Sequence, residues 1–184
     1  MKRHTGRGSI SQNQSKIESR REQENYTITS SMSSANIKDS GQKGKGVFAG
    51  KEFVKGEIIV KIDTSALVSA EDIQYLSADE QNHTMYVGDG NYIIMGSPER
   101  FINHSCEANA YTKSGKVIAL RDIKQGEEIT CDYSLTSVDP WTMKCFCGSR
   151  NCREVIEGDL LQKDASFRRK HTEYIEEWMK KELD

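Results

Sequence analysis

Arg100-Phe101-Ile102-Asn103-His104-Ser105-Cys106-Glu107-Ala108-Asn109 sets an amide, an imidazole, a hydroxyl and a thiol side by side, directly behind the apolar pair Phe101 and Ile102. Each of these polar groups must find a partner or stay in contact with water, so a stretch needed only for core packing would not concentrate them. Read alone, it fits two descriptions: a polar surface loop holding one buried cysteine, or a built site.

Three further stretches bear on that choice. Upstream, Gly44-Lys45-Gly46-Val47-Phe48-Ala49 is a glycine turn running into a strand. It is no phosphate loop, because Val47 and Phe48 follow the last glycine where Ser or Thr would be needed. On its glycines alone it is an ordinary hairpin turn, or a place where bare backbone approaches a ligand. Downstream, Gly126-Glu127-Glu128-Ile129-Thr130-Cys131-Asp132-Tyr133 reads as a turn and an alternating strand that ends in a tyrosine. Beyond it lies Cys145-Phe146-Cys147-Gly148-Ser149-Arg150-Asn151-Cys152-Arg153, whose close thiol spacing in glycine and polar surroundings suits a metal ion. Three thiols leave a tetrahedral site one ligand short.

In order and spacing these four blocks resemble the signature blocks of SET-domain protein lysine methyltransferases that carry a cysteine-rich post-SET segment. The resemblance runs from near Ser34 to near Gly158. It implies a mostly β fold of small sheets with short helices, closed by a C-terminal pseudoknot in which the last segment threads a loop around Asn103. It implies transfer of methyl groups from S-adenosylmethionine to the side-chain amine of a lysine, in a protein that is a histone or a non-histone substrate. It also supplies the missing ligand, so that Cys106 joins Cys145, Cys147 and Cys152 around a structural zinc ion.

The same resemblance assigns the remaining sites. Lys43, Gly44, Lys45 and Gly46 present main chain to the cofactor. Arg100, Asn103 and His104 hold it, with His83, Trp141 and Phe146 as further contacts. Tyr133 is the catalytic tyrosine and, with Cys131, lines the substrate channel. A phenol with a pKa of about 10 is a poor base at neutral pH, so Tyr133 is expected to align and stabilise rather than to abstract a proton. Two positions depart from the family. Cys131 stands where Phe or Tyr is usual, which predicts a wider channel open to di- or trimethylation. Glu154 stands where glycine usually follows the arginine.

Composition agrees. A chain of 184 residues with 35% hydrophobic residues buries one domain core. A net charge of -2 argues against a dedicated nucleic-acid binder. No apolar run reaches membrane-spanning length and no secretory leader stands at the N-terminus. The five cysteines are therefore expected in a reducing, intracellular setting, cytoplasm or nucleus, as metal ligands or free thiols. The expected organisation is a disordered polar tail over 1–33, the SET domain over 34–134, a zinc-binding segment over 135–158 and a C-terminal helix over 159–184 packed on the domain. That helix follows from Phe167, His171, Tyr174, Ile175, Trp178, Met179 and Leu183, which recur at steps of three and four. The alternative to an enzyme is a catalytically inactive, zinc-stabilised SET-like module that binds proteins.

Overall fold

Strand β10 (Glu128–Cys131) carries the arrangement, and its neighbours explain the rest. The computed structural model describes residues 34–183, so the polar tail expected over 1–33 lies outside the described residues. β1 (Ala35–Asp39) pairs antiparallel with β2 (Lys45–Ala49), and β2 pairs antiparallel with the first half of β10, Ile129 opposite Val47. The short β7 (Asn103–His104) continues that same edge in parallel, with Cys131 opposite His104. On the other edge β8 (Ala110–Lys113) runs parallel to β10, followed by β9 (Lys116–Ala119) and the outer β3 (Ile58–Lys61). As the sheet edge, β3 buries Ile59 and Val60 and leaves Ile58 41% exposed at a bulge.

The opening stretch therefore lies on both sides of one strand. Asn103 and His104 flank one edge of β10, Ala110 flanks the other, and residues 105–109 cross between them. Ser105 N–H donates to the Cys131 carbonyl at 3.1 Å. Asn109, 2% exposed, uses its amide as a strand would: Oδ1 accepts from Thr130 N–H at 2.8 Å and Nδ2 donates to the Glu128 carbonyl at 2.8 Å. A buried amide so placed satisfies main-chain groups that a crossover would otherwise strand. β10 thus ends at Cys131 between the two arms of this clasp.

Two smaller sheets flank the main one. β4 (Leu67–Ser69), β6 (Asn91–Ile94) and β5 (Thr84–Gly88) form an antiparallel sheet in the order β4-β6-β5. Ahead of it, helix α1 (Ala78–Asn82) starts at a capping box in which Ser77 and Glu80 satisfy each other's backbone N–H. β11 (Thr142–Lys144) and β12 (Val155–Glu157) form a separate ribbon.

The C-terminal tail is helical, as its periodicity indicates, but broken into α2 (Leu160–Lys163), α3 (Ala165–Lys170), a 3-10 turn at Thr172–Tyr174 and α4 (Glu177–Leu183). The first break is Asp164, whose carboxylate accepts from Ser166 and Phe167 N–H and so restarts a helix. The second follows from docking: Ile175 is extended and 1% exposed, and Lys113 Nζ donates to the Glu173 carbonyl at 2.6 Å. Periodicity cannot register either break, because each keeps the apolar residues inward. Leu161, Ile175 and Met179 bury fully with Leu135 and Val138 in a second cluster beside the main core. Leu161→Ala is expected to lower stability by about 2–5 kcal/mol, read as a shift in the urea midpoint at unchanged slope.

Candidate active site and metal centre

Among the described residues, Cys106, Cys145, Cys147 and Cys152 form one cluster, with ligand atoms all within 4.8 Å of one another. Tetrahedral zinc with Zn–S bonds of about 2.3 Å separates sulfurs by roughly 3.8 Å, and Cys106 and Cys145 Sγ stand 3.8 Å apart. Local backbone builds the cup. Gly148 at φ +68° turns the chain between Cys147 and Cys152, while Arg153 N–H points at Cys106 Sγ (3.3 Å) and Glu154 N–H at Cys152 Sγ (3.4 Å). Burial pushes the Cys145 thiol up to about 12 and raises Cys106, whereas Cys147 is drawn down to about 6 against its burial cost by the Cys106 N–H and by Ser149. Four thiolates in so small a space need a cation, and this donor set fits zinc. Glu154 itself sits at φ +63°. A left-handed backbone there is the physical reason glycine suits the position.

Arg153 ties the thiol cup to the strand end. Its guanidinium meets Asp132 as a fork, Nη1 to Oδ2 at 2.7 Å and Nη2 to Oδ1 at 2.6 Å, and Nη2 also reaches Ser134 Oγ at 3.2 Å. Asp132 is 7% exposed, so this is a shielded, two-pronged pair. His104 lies in the same knot. Its Nδ1 accepts from Tyr133 N–H at 3.2 Å and its Nε2 stands 3.3 Å from Cys106 Sγ, while burial takes its pKa down to about 4. The imidazole is neutral and both nitrogens are engaged. The His104 ring orients a thiol and the chain entering Tyr133.

The glycine turn is latched to the other end of β10. Asn103 Nδ2 donates to the Lys45 carbonyl at 3.0 Å and to Glu128 Oε1 at 2.9 Å. Glu128 also accepts from Ser40 Oγ and Lys43 Nζ, each at 2.6 Å. Burial alone would raise the Glu128 carboxyl; Lys43, Ser40 and Asn103 together hold it below the usual range. Gly46 is the reason the parts meet, since a Cβ there would stand 2.6 Å from Glu128 Oε1 and 3.0 Å from Asn103 Nδ2. Glu128 escaped the sequence reading. The only signal was its place on the strand that pairs with β2, where it stands opposite Phe48, two residues beyond Gly46.

A cavity of about 500 Å³ gathers His83, Arg100, Cys131, Tyr133 and Trp141. Tyr133 O–H donates to the Ile102 carbonyl at 2.7 Å, and burial raises its pKa to about 12. Arg100 Nη2 donates to Asp79 Oδ2 at 2.6 Å and stands 2.8 Å from His83 Nδ1, so His83 and Arg100 form one wall. Trp141 is fixed by its Nε1–H to Ser137 Oγ at 3.0 Å. Cys131 is 4% exposed and its thiol is pushed by burial up to about 12. Lys43–Gly46, Asn103 and His104 do not line this cavity. Nor does Phe146, which is 51% exposed with Lys144 Nζ over its ring. The sequence-expected residues thus fall into a glycine-turn group and a cavity group, joined by β10.

The SET domain family profile matches residues 44–134, which span the glycine turn, the clasp and Tyr133. The chain belongs to the SET-domain family. It is 30% identical over 142 residues to the histone-lysine N-methyltransferase ASHH2 of Arabidopsis thaliana, a match covering 68% of this chain and 8% of that protein. It is 32% identical over 140 residues to the H3 lysine-36 specific histone-lysine N-methyltransferase of Saccharomyces cerevisiae, covering 67% of this chain and 19% of that one. The SET chain therefore spans a small part of the length of these relatives. A crystal structure of KRYPTONITE in complex with mCHG DNA and SAH superposes with a TM-score of 0.53 at 20% identity, over 66% of this chain and 28% of that one, which establishes the shared fold. No helix among the described residues is long and apolar enough to cross a membrane.

Two measurements follow. Purified protein is expected to hold one zinc ion per chain by elemental analysis, and Cys106→Ser to lose it together with on the order of several kcal/mol of stability. Cys131 supplies an alkaline signature. Burial holds its folded pKa above the ordinary thiol value of 9.0, so its contribution is fully present below pH 9 and is lost as pH rises toward 12. The stability of the wild type relative to Cys131→Ala should fall by about 1.4 kcal/mol per pH unit in that window, read by denaturant titration.

Proposed function

We propose that this chain transfers methyl groups from S-adenosylmethionine to the side-chain amine of lysine in a protein substrate, inside the cell, with histones as the first substrates to test. The observation that carries the reading is the Tyr133 hydroxyl, pinned to the Ile102 carbonyl on the wall of the cavity and one residue beyond the Asp132–Arg153 fork. The relatives' names support the substrate class.

The methyl group would arrive on a sulfonium, and transfer to an amine is an in-line displacement. Alignment in a dry channel then supplies most of the rate. A phenol whose pKa is raised to about 12 keeps its proton, so Tyr133 acts through position and dipole, not as a base. Stripping the lysine ammonium costs about 4–5 kcal/mol at neutral pH, which a low-dielectric channel and a nearby positive charge reduce. The glycine turn, held by Asn103 and Glu128, offers main chain to the cofactor, and His104 keeps Tyr133 in register. Cys131, buried beside Tyr133 on the cavity wall, leaves more room than a phenol would, which favours di- or trimethyl product.

The test is methyl transfer by the zinc-loaded chain to a peptide array, with products weighed by mass spectrometry. Tyr133→Phe is expected to lose roughly 10²-fold or more in turnover while S-adenosylmethionine binding by calorimetry persists. Cofactor binding without transfer to any lysine would make the chain a binding module.

A further inference from the structure

A second cavity, about 350 Å³, lies against the first; Met85, Tyr86, Thr112 and Thr136 line both. That volume is at the small end of ligand pockets, roughly 300–1,000 Å³. One wall is the C-terminal segment, which contributes Glu176, Trp178 and Met179 and lies beyond the matched SET domain. The wall is firmly seated. Trp178 meets Tyr86 edge-on at 4.8 Å, and it fills the space over Gly88, where a Cβ would come within 2.9 Å. Glu176 Oε1 accepts from Ser114 N–H, which fixes that carboxylate at the β8–β9 turn.

The charge is one-sided. Asp89 and Glu176 line the chamber, and among the described residues no Lys, Arg or His does. Apolar residues such as Val87, Leu135 and Met179 suit a methylene stem, Trp178 suits a cation, and the carboxylates suit its head.

We propose that this second chamber receives a basic side chain, arginine or lysine, from the same polypeptide whose target lysine enters the first cavity. The shared wall means that one extended segment, advancing about 3.3 Å per residue, reaches both chambers. The proposal rests on the lysine methyltransferase reading, and it makes the C-terminal segment a specificity element of the enzyme.

The test uses the full zinc-loaded chain and a peptide library with one fixed lysine and single variable flanking positions. The wild type is expected to favour Arg or Lys over Ala at one flanking position by about five- to tenfold in kcat/KM. Glu176→Gln keeps the acceptor for Ser114 N–H, and Asp89→Asn keeps a residue that tolerates the observed φ of +52°. Each is expected to collapse the ratio between basic and alanine-flanked peptides, whereas a purely structural role would slow both peptides alike and leave the ratio. A wild type with no basic preference, or with an apolar one, overturns the pocket and leaves the methyltransferase standing. If no peptide is methylated, N-acetyl-arginine methylamide is titrated while the Trp178 indole signal is followed by NMR. A shift abolished in Glu176→Gln upholds the pocket without the activity, and no shift overturns it.

Discussion

Four sulfurs drawn together from positions as far apart as Cys106 and Cys152 set the constraint on which the site depends. An ion shared by them is worth on the order of 10 kcal/mol, comparable with the whole stability of a small domain. Its mechanical effect is specific. Cys106 belongs to the crossover that embraces β10, and Arg153, next to Cys152, grips Asp132 at the end of that strand. The metal cup and the strand end are thus fixed to each other through two independent links, one through sulfur and one through the guanidinium.

β10 then distributes that rigidity. At its start Glu128 latches the glycine turn through Lys43, Ser40 and Asn103; at its end Cys131 and Tyr133 face the cavity. Only Ile129 and Thr130 separate Glu128 from Cys131, so the spacing between the latch and the cavity wall is set by the pleat of one rigid element. His104 completes the frame from within. Its buried neutral ring couples the thiol of Cys106 to the backbone of Tyr133 without reaching the cavity.

What the sequence disclosed was what is local. The glycine turn at Gly44-Lys45-Gly46 and the strand that ends before Tyr133 announce themselves, and the crowded stretch at Asn103 announces a site. The union of Cys106 with the late thiols was legible only through family resemblance, because nothing in spacing links residues so far apart. Glu128 and the Asp132–Arg153 fork stayed hidden for the same reason: a carboxylate on a strand has no partner until the sheet is assembled. The tail misled in a subtler way. A helical period survives two breaks when each break, at Asp164 and at Ile175, returns the apolar residues to the same side.

Glu154 carries its own consequence. A residue with a Cβ held at φ +63° beside a metal ligand is backbone set against its natural preference. Cys106 stands 39 residues before Cys145, so the cup cannot close on an ion until both segments are in place, and the strained turn at Glu154 is held only from then on.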